Sequence, residues 1–281
     1  MKKTLNVIVK ILRDIKNIIQ IKTYTELKLS ILKSYIGYIV LNKLNTNPGQ
    51  SYISKLSVEY PSLRSYEYVF NEIFIKQEYF FETDNKKPFI IDCGSNIGLS
   101  ILFFKCLYPD SVILGFEPDL LSFDYLNKNI TSNKFTDVTV LNKALAYESG
   151  EVFFYNAANN PGSLTNRTSL NDNIDARKHK KTISAINLSS HIDDFVDLLK
   201  IDIEGAELDV IKDLDDKDKL KYIDQMFIEY HHHMINNNSD NLSELLSILE
   251  KNSFGYQFNT NVSLPFKKYY HQNIVVFAYK K

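Results

Sequence analysis

The pattern of apolar and polar positions along the chain changes near residue 85. Before that point the apolar residues recur mainly at helical spacing, and no group of residues there points to a chemical role. Beyond it, short apolar runs alternate with amphipathic stretches. We therefore predict a helical N-terminal extension over residues 1–84 and a second domain over residues 85–281. The first amphipathic face of the extension is formed by Ile8, Ile11, Leu12, Ile15 and Ile19.

This first helix has two interpretations. A single apolar stripe is the ordinary mark of a helix that packs against its own domain or against a partner subunit. Because Lys10, Arg13 and Lys16 lie elsewhere on the helix, it also fits a basic amphipathic helix that rests on a membrane surface. We expect the packed arrangement, which is the commoner one, and keep peripheral membrane contact as the alternative.

The second region has the pattern of repeated β-α units. Its apolar runs are short and continuous, as in strands buried on both faces. Such units predict an α/β fold with a doubly wound, mostly parallel, seven-stranded sheet. The core strands are expected at residues 89–91, 111–116, 138–141, 198–203, 225–230, 256–259 and 273–279. The helices are expected at residues 97–108, 118–129, 204–214 and 242–249, and strand-like insertions at residues 151–155 and 182–188.

Composition narrows the class of protein. The chain has 33 lysines and arginines against 34 aspartates and glutamates, and this balance argues against a nucleic-acid binder. The two cysteines, Cys93 and Cys106, argue against a disulfide framework and indicate a reducing compartment. No export signal is recognisable, and the longest uncharged apolar stretch near the N-terminus, Ser34–Asn42, is too short to span a bilayer. We expect a cytoplasmic protein without a transmembrane segment.

The loop after the first core strand predicts a cofactor site, because ligands of doubly wound sheets bind at the carboxyl ends of the strands. Its glycines are four residues apart, unlike the Gly-x-Gly-x-x-Gly pattern that places a dinucleotide pyrophosphate at a helix N-terminus. S-adenosylmethionine has no phosphate and carries a sulfonium and an ammonium group, which suit a carboxylate beside the loop. The loop residues expected to bind this cofactor are Asp92, Gly94, Ser95, Asn96 and Gly98.

Two further strand ends add to this site. Glu117 follows the second strand, where an acid is placed to accept hydrogen bonds from both ribose hydroxyls. A solvated carboxylate near a helix N-terminus is the simpler alternative for this residue. Asn142 and Ala144 follow the third strand, where a polar side chain and a small one can contact an adenine ring.

The fourth core strand carries the most specific motif, which reads Lys-Ile-Asp-Ile-Glu-Gly-Ala-Glu over residues 200–207. Because side chains alternate between the two faces of a strand, Lys200 and Asp202 lie on the same face. Charges in a buried strand are costly unless they are paired, so the two residues are expected to pair with each other or to have a function. Here the sequence resembles the FkbM family of methyltransferases, over roughly residues 66–232. The resemblance also includes Asn71-Glu72-Ile73-Phe74, Tyr79, the Asp92–Gly98 loop, Glu117-Pro118 and Glu229-Tyr230-His231.

The resemblance implies a Rossmann-like class I enzyme that uses S-adenosylmethionine, often to methylate hydroxyls of sugars or polyketides. It implies that Asp202 and Glu204 line the reaction cleft. The family commonly has a Leu-Asp-Asp turn before the signature strand, whereas this chain has Leu-Ser-Ser-His over residues 188–191, which puts the usual acceptor in doubt. The residues that the resemblance assigns to the cofactor are Asp92, Gly94, Asn96, Gly98 and Glu117.

Glu229 and His231 end the fifth core strand on one face and are expected to converge with Asp202. His231 is the expected general base for the hydroxyl proton, because a neutral imidazole titrates near working pH. Alternatively, Asp202, Glu229 and His231 bind a divalent metal that acidifies the hydroxyl. Ser163 is expected on the substrate side, within the polar stretch 156–173, which is a candidate lid.

We therefore predict an S-adenosylmethionine-dependent O-methyltransferase that acts on a hydroxyl of a small-molecule or glycan acceptor, with a saccharide or glycoconjugate preferred. Two other classes of protein stay open. A nicotinamide-dependent enzyme on a similar sheet would need a phosphate-binding glycine loop. A non-catalytic scaffold of the same fold would dock a partner through residues 1–84.

Overall fold

The computed structural model describes residues 2–20, 28–29, 31–37, 49–53, 55–157, 167–169, 178–232, 241–260, 265 and 272–281. The helices are α1 (Lys2–Gln20), α2 (residues 31–37), α3 (Leu63–Phe70), α4 (Leu99–Leu107), α5 (Leu120–Ser132), α6 (Glu207–Asp216) and α7 (Leu242–Lys251). The strands are β1 (Gln50–Ile53), β2 (Leu56–Glu59), β3 (Phe89–Cys93), β4 (Val112–Phe116), β5 (Val138–Leu141), β6 (Ala144–Leu145), β7 (Gly150–Ala157), β8 (Arg167–Ser169), β9 (Lys178–Ile186), β10 (Val196–Ile201), β11 (Ile223–His232), β12 (Phe254–Thr260) and β13 (Gln272–Lys280). A π-helical turn, Asn71–Ile75, follows α3.

The central sheet has seven strands in the order β12-β13-β11-β10-β3-β4-β5. The five strands from β11 to β5 run parallel, whereas β13 pairs antiparallel with both β11 and β12. The predicted α/β fold with a doubly wound, mostly parallel, seven-stranded sheet is confirmed. The chain leaves β3 towards β4 and β5 and later returns to β10 on the other side of β3. The switch point, where ligands of such sheets bind, therefore lies between β3 and β10.

The two strands at the switch point are the most buried of the sheet, in agreement with their central place. All six residues of β10 are buried, and so are four of the five in β3. The pairing register sets Lys200 of β10 opposite Asp92 of β3. One cation and one anion thus meet in the core, at the edge of the sheet where the cleft opens.

The segment after β10 differs from its predicted structure. We predict a strand to residue 203 and a helix from Glu204, but β10 ends at Ile201 and α6 begins at Glu207. Glu204 and Gly205 have φ angles of 59° and 110°, so the backbone turns in the left-handed region between the two elements. The turn keeps Glu204 at the carboxyl edge of the sheet, where its side chain reaches the cleft.

A second sheet, with strand order β6-β9-β7-β8, follows β5. The two strand-like insertions predicted from the sequence correspond to β7 and β9, which pair antiparallel. Buried Phe154 of β7 lines the cleft, so this sheet contributes to the site. Ser163 and most of the predicted lid lie outside the described residues.

The N-terminal helices pack on the rest of the protein. Ile18 of α1 and Ile31 of α2 belong to the hydrophobic cluster that also holds Phe103 of α4. The hydroxyl of Tyr35 donates a 2.6 Å hydrogen bond to the buried carboxylate of Asp14, which ties α2 to α1. Within the described part of the chain, no helix has both the length and the apolar character that a membrane crossing requires.

The buried face of α1 is rotated from the predicted one and keeps only Ile11 and Ile15 of the described predicted positions. Leu12 and Ile19, which the spacing assigns to it, are 61% and 65% exposed. A prediction from apolar positions alone misplaces the face because it leaves out Asp14, which is buried. The hydrogen bond from the Tyr35 hydroxyl compensates the solvation that the Asp14 carboxylate loses. The residues on the packed side are Ile11, Asp14, Ile15 and Ile18.

Candidate active site

A cleft opens at the carboxyl ends of the central strands, at the switch point of the sheet. Its open space, including the mouth and the solvent-filled part outside it, amounts to about 1170 Å³. We call the wall that follows β3, β4 and β5 the β4 side; it includes Gly94, Ser95, Asn96, Glu117, Lys143 and Ala144. We call the wall that follows β10, β11 and the start of β13 the β10 side; it includes Asp202, Glu204, Glu229 and Asn273.

The backbone amides of the loop after β3 are already used inside the protein. The amides of Gly94 and Ser95 both donate to the carbonyl oxygen of Phe116, at 2.9 Å each. The amide of Asn96 donates to the carboxylate of Glu117 at 2.8 Å. A pyrophosphate held by this loop would need these donors, so the loop fits a ligand that brings no phosphate to this position. This geometry disfavours the nicotinamide-dependent alternative.

Glu117 lines the β4 side in a fixed orientation. One of its oxygens accepts from the amide of Asn96 and the other from the amide of Asp119, at 2.8 Å each. Burial raises the pKa of Glu117 to about 8, and these two hydrogen bonds offset that rise only in part. Each oxygen keeps further acceptor capacity, so a ligand diol can donate to this carboxylate without displacing either amide.

Asp92 lies beneath the cleft and not in its wall. It is fully buried, with one oxygen 3.0 Å from Lys200 Nζ and the other accepting a 2.5 Å hydrogen bond from the Ser100 hydroxyl. Lys200 also donates to the carbonyl oxygens of Gly94 at 2.9 Å and Cys93 at 3.3 Å. The direct contact with a cofactor cation that the sequence suggests does not fit this geometry, because Lys200 already occupies that position. Asp92 instead holds Lys200, which holds the glycine loop.

Two other predicted cofactor residues also lie behind the wall. Gly98 caps the N-terminus of α4, and the side chain of Asn142 donates to the carbonyl oxygens of Glu117 at 2.9 Å and Pro118 at 3.1 Å. Asn142 therefore shapes the loop that carries Glu117 and does not itself line the cleft. Ala144 does line the cleft, and its contact with an adenine ring stays a prediction.

Acidic and amide side chains crowd the β10 side. Asp202, Glu204 and Glu229 line it, and Glu72 of the π-helical turn faces the same space. The side-chain amide of Asn273 donates a 2.5 Å hydrogen bond to Glu229. Burial, reinforced by the nearby charge of Asp202, raises the pKa of Glu229 to about 8. This wall is rich in hydrogen-bond acceptors.

His231 lies buried next to this wall, and Glu207 of α6 fixes its ring. Nδ1 is 2.7 Å from Glu207 Oε1, while Nε2 faces Glu204 at 3.5 Å and both Asp202 and Glu229 at 4.0 Å. Burial lowers the pKa of His231, but the surrounding carboxylates outweigh it and raise the pKa to about 10. The ring is then a cation near neutral pH and has no lone pair to take a proton. This differs from the neutral base expected from the sequence.

The sequence does not identify two contacts that organise this wall. The first is the hydrogen bond that the Tyr79 hydroxyl donates to Asp202 at 3.1 Å. The ring of the same tyrosine has its centre 5.2 Å from the Lys200 ammonium. The second contact is the Glu207–His231 hydrogen bond. Tyr79 and Glu207 both occur in motifs of the family resemblance, which signals their importance but does not reveal their partners.

Sequence comparison identifies the family. Residues 92–258, more than half of the chain, match the Methyltransferase FkbM domain. The chain belongs to this family. Methyltransferase sdnD of Sordaria araneosa is 29% identical over 180 residues, which are 54% of this chain and 70% of that protein. Methyltransferase 1 of Beauveria bassiana is 30% identical over 169 residues, which are 54% of this chain and 68% of that protein.

Solved structures of methyltransferases are also similar to this FkbM chain. A crystal structure of methyltransferase FkbM from Methylobacillus flagellatus has a TM-score of 0.48 and 15% identity; the match covers 98% of this chain and 60% of that protein. The chain thus spans about three fifths of that protein's length. TYW2 of M. jannaschii, solved in complex with AdoMet, has a TM-score of 0.42 and 14% identity, with coverage of 83% and 86%. Family membership makes the protein a methyltransferase, with S-adenosylmethionine as its cofactor.

Proposed function

We propose that this FkbM-family enzyme transfers a methyl group to a hydroxyl oxygen of a saccharide or glycoconjugate. The acceptor-rich β10 side of the cleft carries this proposal. Asp202, Glu204 and Glu229 converge there with Asn273 and the Tyr79 hydroxyl. Oriented carboxylate and amide oxygens suit a ligand with several hydroxyl donors.

The β4 side fits the cofactor. Glu117 lines this wall with both oxygens held by backbone amides, and the loop amides are engaged within the protein, as a phosphate-free nucleoside allows. When bound, S-adenosylmethionine would supply a methyl group on a positively charged sulfur, which leaves as the neutral thioether of S-adenosylhomocysteine. The acceptor's hydroxyl proton would pass to an ionised carboxylate of the β10 side. Glu117 orients the nucleoside, and the β10 side orients the acceptor oxygen. Such alignment can lower a barrier by about 7–11 kcal/mol.

The acceptor class can be tested with labelled cofactor. The enzyme is incubated with methyl-labelled S-adenosylmethionine and three sets of compounds of similar size: neutral sugars, amines and carboxylic acids. We expect label in the sugars, as ethers that survive alkaline hydrolysis. Label found in base-labile esters or in methylated amines would contradict the proposed hydroxyl acceptor while leaving methyl transfer itself intact.

Cofactor binding is expected to release a proton. Below pH 8 the Glu117 carboxyl of the free protein is largely protonated, because burial raises its pKa to about 8. Two ribose hydroxyls that donate to the carboxylate favour its charged form and lower this pKa. Affinity for S-adenosylhomocysteine should therefore rise as the pH increases from 6 to about 8. Calorimetry at pH 7 in buffers of different ionisation enthalpy measures the proton directly.

The matched variant separates Glu117 from other titrating groups. Glu117→Gln should weaken binding by about 10- to 100-fold, the equivalent of one charged hydrogen-bonded pair, and abolish the proton release. Glu151→Gln, at an exposed position of β7, should change neither quantity. Proton release that persists in Glu117→Gln would show that another group is responsible and would remove Glu117 from the nucleoside site.

We also propose that Asp202, Glu229 and His231, the candidate catalytic residues, bind a divalent cation. These side chains offer ligand atoms that lie within 4.8 Å of one another. A metal binds the neutral imidazole, so the cation would have to displace the Nε2 proton of His231. The Glu207 carboxylate on Nδ1 directs Nε2 at the two carboxylates, as in many metal sites where a second acid orients the histidine. A cation there would lower the pKa of a hydroxyl that it contacts. The mixture of two carboxylates and one imidazole favours manganese over magnesium.

Manganese binding can be measured without turnover. Electron paramagnetic resonance should detect about one tightly bound Mn²⁺ per chain, and Asp202→Asn should abolish that binding. Glu207→Gln should weaken it by about 10- to 100-fold, because it removes the group that orients the histidine. Asp215→Asn, which alters a carboxylate paired with Lys251 away from the cleft, is the control. Equal Mn²⁺ affinity in all four proteins, or full turnover in a chelator, would exclude the metal.

A further inference from the structure

The two N-terminal helices repeat one surface pattern. Leu12, Lys16 and Ile19 are exposed on α1, at positions i, i+4 and i+7. The same spacing and residue types recur in the second helical segment. There Leu29, before α2, and Lys33 and Ile36, within α2, are all exposed. Residues at this spacing share one side of a helix. α1 thus presents two apolar side chains with a lysine between them, and Leu29 together with α2 has the same three residue types at the same spacing.

Packing among the residues that the structure describes does not account for these two stripes. The helices meet the body of the protein through other positions, of which Ile18 and Ile31 are fully buried, and meet each other through the Asp14–Tyr35 hydrogen bond. The four apolar side chains of the stripes are between 48% and 65% exposed. Large apolar side chains left exposed at the same spacing in both helical segments point to contact with something outside the described residues.

The charge of this segment indicates what it contacts. Residues 1–37 contain eight lysines and arginines and two acids, a formal charge of +6. The other 244 residues contain 25 lysines and arginines and 32 acids, a formal charge of −7. One of the two acids in the segment, Asp14, is buried against Tyr35. The sequence of this segment is therefore strongly cationic, and two copies of the segment placed face to face would repel each other.

We propose that the stripes on α1 and around α2 dock on an anionic lipid surface. The exposed apolar side chains would enter the boundary between headgroups and acyl chains, while Lys16 and Lys33 would extend to the lipid phosphates. The arrangement matches an interfacial helix and not a spanning one. Because α1 packs against the π-helical turn Asn71–Ile75, which contributes Glu72 to the cleft, docking would hold the cleft near the lipid surface. This proposal does not depend on the acceptor proposed above.

The chain contains no tryptophan, so one introduced residue gives an unambiguous signal. Leu12→Trp places the probe in the α1 stripe, and Phe195→Trp places it at a distant exposed position as a control. On addition of vesicles containing about 30% anionic phospholipid, we expect a blue shift and quenching by brominated acyl chains for Leu12→Trp alone. Neutral phosphatidylcholine vesicles should give neither change at the same lipid concentration.

Matched variants separate the apolar and ionic contributions in vesicle co-sedimentation. Lys16→Gln/Lys33→Gln should weaken partitioning by about 25-fold, at roughly fivefold per lysine, whereas Lys86→Gln/Lys87→Gln, with the same change in net charge, should have little effect. Leu12→Ser/Ile19→Ser should weaken it by about tenfold or more, and Phe195→Ser should not. Failure to bind anionic vesicles overturns the proposal. The proposal is also overturned if the stripe variants and the control variants weaken vesicle binding equally. A wild-type dimer in solution that Leu12→Ser/Ile19→Ser dissociates would overturn it as well.

Discussion

Replacing Lys200 by methionine is expected to lower the free energy of unfolding by about 3–5 kcal/mol, because it leaves a buried carboxylate without its cation. Asp92 is fully buried, and Lys200 Nζ at 3.0 Å is the charge that compensates it. Methionine preserves the length and apolar stem of lysine, so lost packing contributes little. The variant also removes the donor to the carbonyl oxygens of Cys93 and Gly94, which should loosen the glycine loop.

Two controls make this stability experiment specific, and urea unfolding measures all the variants. Lys200→Met/Asp92→Asn removes both charges and should recover much of the lost stability, since the cost arises from the unpaired charge. Lys251→Met breaks an ion pair of similar length, 2.9 Å from Asp215, but its side chain is 68% exposed. That variant should cost less than about 1 kcal/mol. A cost for Lys200→Met as small as that of Lys251→Met would show that Asp92 is not dependent on its buried partner.

The central sheet is readable from the sequence because its signals are local. Continuous apolar runs such as Ile90-Ile91 and Leu198-Leu199 indicate strands buried on both faces, and each is followed by a polar loop at the edge where the cleft forms. The sequence also predicts that Lys200 pairs with a carboxylate, since an uncompensated charge in such a strand is costly. The sequence does not reveal that its nearest partner is Asp92, because that depends on the register between β10 and β3.

The arrangement of Asp92 and His231 depends on tertiary contacts. Asp92 has the right charge for a cofactor cation, but the pairing register of β3 and β10 places Lys200 beside it. His231 has the ordinary pKa of a base in isolation, but Glu207 reaches its ring only because the turn at Glu204 delays the start of α6. The carboxylate that changes the chemistry of the histidine is 24 positions away in the chain. No periodicity along the sequence records such a contact.

Replacing Gly94 by alanine is expected to remove cofactor binding and to cost about 3 kcal/mol or more of stability. Gly94 has a φ of 85°, in the left-handed region that an alanine adopts only at a cost. A Cβ at this position would lie 1.9 Å from the backbone oxygen of Asp202, a distance no side-chain movement can relieve. The loop after β3 and the end of β10 must then separate, which shifts both walls of the cleft.

The close approach at Gly94 explains why the two walls of the cleft act together. The same backbone contact that positions Ser95 and Asn96 on one side positions Asp202 on the other, so the variant should lose S-adenosylhomocysteine binding by at least about 100-fold in calorimetry. Gly150→Ala is the control, because Gly150 is exposed and a Cβ there meets no atom within 4 Å. It should retain wild-type affinity and melting temperature. If Gly94→Ala bound the cofactor as tightly as Gly150→Ala, the loop after β3 would not form the cofactor site.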